Sequence, residues 1–461
     1  MRGQATMAPL DSLPMEMLWQ IFSSVPSTDL CALARSNRYC STAAQSMLYT
    51  SIDLRLEKVK LRGEETRTDA PQIAPLLSTL LRRLDLAAQV GEFKDHLTQF
   101  IAYIDTMELP NNHEWIEALK QGSMDAVITL LVSRLPNLSL IHLASGAAEE
   151  SRFLGEMFAS ALCGQPTGNL PTFPRLRSLT FIPISSGRGR RLSRNTKDVL
   201  AFLYLPGLEH LHTRIESPLC FSWPSDGVAP PACNLTSMKL TGIREGPLGH
   251  LLRATKYLET LEWESLYDPH ANSTHDGTTS VYLNQFMTDL SHVKTTLRSL
   301  RISIDWRSDH FYMWPTLIIQ GSLDGLRDFE QLTHLEVPMV FLVGIAHGSR
   351  PGDRLETGLP VGLESLIIND DGSRYNNYDW PDLCILPMVT SWLARWRTWT
   401  PLLRKSTWQI FNDDWASAEV RQLRDAHLSA GLAVEIQIEA WQGGRITLGE
   451  VIDLPPPLRD R

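Results

Sequence analysis

The chain has 461 residues, more than one compact core usually holds, so several domains or one elongated array are expected. Its 52 acidic residues outnumber 43 basic ones, and the net charge of -9 argues against a dedicated nucleic-acid binder. The six cysteines are scattered with no C-x-x-C pair, which fits a reducing compartment. No apolar leader opens the sequence, and the longest near-apolar run, 337–346, is too short to span a bilayer. The expected location is therefore cytosolic or nuclear, with no membrane partner.

The first elements are helical. Pro14 has the fixed φ of a first helical position, and Glu16 places a carboxylate in the first turn, where the helix dipole favours it. Leu18, Ile21, Phe22 and Val25 recur at helical spacing and form one apolar stripe that ends at Pro26. Ser27 or Thr28 is the expected cap of a second helix carrying Leu30, Leu33 and Ala34. A third, over 38–48, presents Tyr39, Ala43, Met47 and Leu48. Three helices this short lie near the lower limit of independent folding, so some apolar surface must pack elsewhere. Either the rest of the chain covers it or another protein docks there, and periodicity does not choose.

The stretch "LPMEMLWQIFSSVPSTDLCALARSNRYCSTAAQSMLYTSIDL", 13–54, resembles an F-box. The positions that carry the resemblance are Leu13, Pro14, Glu16, Leu18, Ile21, Phe22, Pro26, Asp29, Leu30, Leu33, Arg35 and Arg38. In that family these helices bind the small adaptor of SCF-type cullin ubiquitin ligases. The resemblance implies an F-box domain over 10–54 whose adaptor-binding residues are Leu13, Pro14, Glu16, Leu18, Ile21, Phe22, Pro26, Leu30 and Leu33. Through the adaptor the chain would join a cullin.

Beyond the helices one phrase returns, an apolar residue followed by x-x-apolar-x-apolar. It occurs ten times, in "LYTSIDL", "LLRRLDL", "LPNLSLIHL", "FPRLRSLTF", "LPGLEHLHT", "CNLTSMKL", "KYLETLEW", "TLRSLRI", "QLTHLEV" and "GLESLII". Its first anchors are Tyr49, Leu81, Leu138, Leu176, Leu208, Leu235, Leu258, Leu297, Leu332 and Leu363. The intervals scatter from the span Leu235–Leu258 to the much longer Leu81–Leu138, and bracket and exceed the leucine-rich repeat length of about 20–29 residues. The Asn or Cys such repeats carry eight positions on is replaced by residues such as Ile184, Glu216 and Ile243. Within the phrase side chains alternate as on a strand, Leu179 and Phe181 inward, Ser178 and Thr180 outward. Helix-compatible stretches at 193–205 and 281–293 separate the strands. Strand, helix and strand repeated predict an α/β fold, an irregular leucine-rich-repeat-like solenoid over 55–390 with a curved parallel sheet. Residues 391–461 are expected to close it as a helix-rich end with one terminal strand. There Trp392, Trp396 and Trp399 form a core stripe, and Val434, Ile436 and Ile438 point inward.

Outward strand positions line the usual binding face of such arrays. A positive group, His210, His212, Arg214 and Lys239, adjoins a negative one, Glu262 and Glu264, with Arg301 beyond. These are the candidate target-binding residues, selecting by charge complementarity or else simply solvating a sheet face. The arginine-rich loop 185–197 reads as a solvated loop, and His210 with His212 has no third ligand at metal-site spacing. The acidic stretch 368–382 lacks the glycine and final glutamate of a calcium loop. No metal, cofactor or catalytic residue is nominated, and no G-x-S-x-G, H-E-x-x-H or Walker-type loop occurs. The resemblance implies a non-enzymatic substrate receptor of an SCF-type ligase, acting by proximity on an unidentified target. A repeat scaffold without a degradation role is the alternative.

Overall fold

The computed structural model describes residues 13–36, 39–40, 43–44, 51–54, 58–59, 67–68, 93–107, 109, 111–121, 123–143, 152–163, 170–182, 199–215, 221–225, 227–231, 233–267, 280–306, 318–343, 354–371, 385–411, 417–442 and 445–454. The fold mixes helices and strands around a large parallel sheet, an α/β architecture. Two compact units divide the chain, residues 1–186 with 197–209, and 210–461 with 187–196.

The first unit begins with helices α1 (Met15–Phe22) and α2 (Ser27–Leu33). Each starts one residue later than a proline at the first helical position would give. Pro14 and Pro26 have extended ψ values of 149° and 148°, and each takes the N-cap place. The Pro14 carbonyl accepts the N–H groups of Met17 and Leu18, and that of Pro26 accepts those of Asp29 and Leu30. The cap expected at Ser27 or Thr28 thus falls to Pro26, and Ser27 is the first helical residue.

Strands β1 (Ser51–Leu54), β2 (Lys58–Val59) and β3 (Arg67–Thr68) follow, then helices α3 (Phe93–Asp105), α4 (Asn112–Lys120) and α5 (Met124–Ser133). Strand β4 (Leu140–Leu143), helix α6 (Arg152–Leu162) and strand β5 (Ser178–Phe181) come next. β1, β4 and β5 run parallel, with Ser51, Leu140 and Ser178 in one register column. Ile141, Leu143, Leu179 and Phe181 are buried on one face, as the alternation predicts. Against them Phe158 of α6 meets Phe173 at 4.9 Å and Phe202 at 5.0 Å, and Phe202 meets Phe181 at 5.3 Å. Buried Asp125 reaches across to start α6, accepting the Phe153 N–H at 2.8 Å. Burial pushes its carboxyl up to about 7. Of the helix expected over 193–205, the described part is 199–205, with a 3₁₀ turn at Ala201–Tyr204.

In the second unit β6 (His210–Arg214), β7 (Ser237–Thr241), β8 (Thr260–Tyr267), β9 (Ser280–Tyr282), β10 (Ser299–Trp306), β11 (Ile318–Gln320), β12 (His334–Pro338), β13 (Ser365–Asn369), β14 (Lys405–Phe411) and β15 (Ala433–Gln442) precede β16 (Arg445–Leu454). β9 and β11 pair with each other. The other strands through β15 are hydrogen-bonded in chain order and parallel, and β16 closes the series antiparallel. Parallel neighbours need long crossovers. Those here carry α7 (Pro247–Ala254), α8 (Leu283–Leu290), α9 (Met339–Val343), α10 (Arg354–Gly358), α11 (Ile385–Ala394), α12 (Trp396–Trp399) and α13 (Ser417–Ala430).

The register aligns the phrase from strand to strand. Leu211, Met238, Leu261, Leu300, Leu335, Leu366, Ser406 and Val434 stand in one column, all buried. The anchors three residues earlier, Leu235, Leu258, Leu297, Leu332 and Leu363, have 0% exposure. Each such leucine removed from water contributes about 1.5–3 kcal/mol, so every phrase binds its crossover to the sheet. Trp263 shows how: its ring stacks on Phe286 of α8 at 4.3 Å, and its Nε1–H donates to the Ile243 carbonyl at 2.7 Å.

The C-terminal region differs from the expected helix-rich end with one strand. It holds three strands, β14, β15 and β16. The tryptophan stripe spans two helices, interrupted at Arg395, with Trp392 and Trp396 buried and Trp399 half-buried. Tyr49, Leu81 and the loop 185–197 lie outside the described residues, as does most of the acidic stretch.

Candidate functional site

The helices α1 and α2 close a small core of their own. Leu18, Phe22 and Leu30 pack with Cys40, Ala43 and Ala44, and Leu13, Met15, Val25, Leu33, Ala34 and Tyr39 border them. The Tyr39 hydroxyl donates to the Leu13 carbonyl at 2.7 Å, joining the two ends of this stretch. Of the expected stripe, Leu18 and Phe22 are thus buried by this stretch itself, Val25 is half-buried, and Ile21 stands outside the core.

What remains outside is a second apolar set. Met17, Trp19 and Ile21 are 47%, 44% and 40% exposed, large apolar side chains left facing solvent. With about 100° per residue, Met17 and Ile21 share one flank of the buried stripe and Trp19 stands on the other. Pro14 and Pro26 are exposed beside them. Among the residues expected to bind an adaptor, Ile21, Pro14 and Pro26 are therefore accessible, while Leu18, Phe22 and Leu30 are interior and Leu13 and Leu33 half-buried. The Glu16 side chain lies outside the described set. Met17 and Trp19 escaped the sequence reading because a search for the buried stripe passes over the residues flanking it.

The second surface is the outward face of β6–β15. His212, Lys239, Glu262, Arg301 and Glu336 occupy successive places in one column. The charges neutralise each other in pairs: Lys239 Nζ lies 2.9 Å from Glu262 and Arg301 Nε 3.0 Å from Glu336. Thr241 Oγ1 donates to Glu264 at 2.9 Å, and Lys405 pairs with Glu435. Burial raises the Glu336 carboxyl against the pull of Arg301. The positive and negative groups read from the sequence are thus one alternating ladder rather than two patches. His210 is exposed and His212 half-buried. Arg214 stands in the same column as Thr241 and Glu264 but is buried rather than open to solvent.

Among the described residues no group of three or more His, Cys, Asp or Glu side chains is placed to hold a metal ion. Nor is any helix long and apolar enough to cross a membrane. Among curated proteins no relative matches the chain. The family model described as F-box-like matches residues 10–55, the span that contains α1, α2 and their closed core, so the chain carries an F-box-like domain there.

Proposed function

We propose that the protein is the substrate-recognition subunit of an SCF-type cullin ubiquitin ligase. The observation that carries this reading is the F-box-like match over 10–55 on helices whose core is complete yet whose Met17, Trp19 and Ile21 face outward. Apolar residues left exposed on a self-sufficient helical domain mark a docking surface. The remainder is read as an irregular leucine-rich-repeat solenoid, supported by the aligned leucine columns and parallel register, with its outward face holding a target protein. The contribution is proximity: a target lysine is kept at high effective concentration near the charged ubiquitin carrier, and no bond is made by this chain. Such a complex works in the cytosol or nucleus.

The test is co-purification of the intact chain with the SCF adaptor and a cullin. Trp19→Asp with Ile21→Asp should abolish adaptor capture while leaving the far-UV spectrum and Tm unchanged, because both side chains lie outside the core. Burying two such side chains on docking contributes about 3 kcal/mol or more, roughly a hundredfold in affinity. Capture that survives the double variant, or that never occurs with the unaltered chain, overturns the ligase reading and leaves a repeat scaffold.

A further inference from the structure

The turns that enter the strands of the second unit carry side chains used by neither surface above. Ser237, Thr260, Ser299 and His334 are matched in register at the starts of β7, β8, β10 and β12. Three residues before each stand Asn234, Tyr257, Thr296 and Gln331; one residue before the first three stand Thr236, Glu259 and Arg298. The backbone fixes these rows. The Thr236 carbonyl accepts the N–H groups of Glu259 and Thr260 at 2.8 and 3.0 Å, and the Glu259 carbonyl those of Arg298 and Ser299 at 2.8 and 2.9 Å. The Arg298 carbonyl does the same for Thr333 and His334. The ladder therefore extends into the turns and holds their side chains at the strand spacing of about 4.8 Å.

Together with Thr295, the two rows enclose a groove of about 450 Å³. That lies within the range of about 300–1,000 Å³ occupied by ligand sites. At β13 the equivalent turn position is Gly362, where a Cβ would lie 2.9 Å from the Glu330 carbonyl oxygen, so the row of side chains lining the groove stops at Gln331. Glu259 and Arg298 are 3.7 Å apart and 51% and 61% exposed, a looser pair than those of the strand face. Each retains hydrogen-bonding capacity toward a visitor. Tyr257, 56% exposed, offers a flat apolar face beside them.

We propose that this groove binds an extended peptide segment of the target protein, with a basic side chain on Glu259 and a neighbouring acidic side chain on Arg298. The inference rests on the receptor reading and adds the site and chemistry of recognition. A row that crosses four neighbouring strands spans about 14 Å, long enough for about four residues of an extended chain at about 3.3 Å each, whereas a compact monosaccharide would fill only part of it. Opposite charges on neighbouring positions set the direction in which the peptide lies.

The experiment selects a random octapeptide library on the intact chain and on two variants, Glu259→Ala with Arg298→Ala, and the swap Glu259→Arg with Arg298→Glu. The unaltered chain should enrich peptides with a basic and an acidic residue close together, and the alanine pair should weaken them about tenfold or more. The swap, which keeps net charge and alters only exposed side chains, should enrich the reverse order. Enrichment indifferent to both variants overturns the proposal, as does a glycan array giving the variant-sensitive binding in place of peptides. Adaptor capture is measured on the same preparations. Capture without groove-dependent peptides sinks this inference alone, and groove-dependent peptides without capture sink the ligase reading alone.

Discussion

His427 has 0% exposure in α13. One ring nitrogen, Nδ1, lies 2.8 Å from the Leu423 carbonyl, and the other, Nε2, accepts the Trp408 Nε1–H at 3.3 Å. This pattern fixes the neutral ring with its proton on Nδ1. Burial depresses its pKa from 6.5 to about 4. The unfolded chain therefore binds the proton more readily than the folded one. The stability this residue contributes is present above about pH 6.5 and is lost as pH falls toward about 4, by about 3 kcal/mol. Urea unfolding of the intact chain between those pH values should show this slope, and His427→Asn should flatten it. An identical slope in the variant would assign the effect to other groups.

At the scale of elements, the leucine phrase located every strand it marked among the described residues, because a buried column selects one residue type for the same geometric reason each time. β14 escaped because Ser406 occupies the column where the other strands have leucine, methionine or valine, although Leu403 three residues earlier is buried like the other anchors. Ser406 has 0% exposure, and among the described residues its Oγ makes no hydrogen bond. A buried, unsatisfied hydroxyl is destabilising, so Ser406→Ala should raise stability by about 1 kcal/mol. The change should appear as a higher urea midpoint at unchanged slope. A lower midpoint would mean that the hydroxyl has a partner. The same logic limits what sequence reveals about sites. The stripe Leu18, Phe22 was legible because the core repeats it; Trp19 and the groove row were not, since side chains selected by a partner follow no period of the fold itself.

For the whole molecule, the two proposed surfaces differ in physical character, and salt separates them. The α1 surface is apolar, whereas the groove relies on Glu259 and Arg298, both more than half exposed. Raising salt from about 0.05 to about 0.5 M shortens the screening length from more than about 10 Å to less than about 5 Å. Peptide binding to the intact chain should weaken severalfold over that range while adaptor capture holds or strengthens. Parallel losses in both would show that the α1 surface also depends on charge. The final strand has a further effect. β16 runs against β15, with a register shift at Ile438 and Glu439. An antiparallel partner can follow across two intervening residues, with Gln442 facing Arg445, so the last strand is added without the long crossover that each parallel neighbour requires, and the register shift raises its local twist.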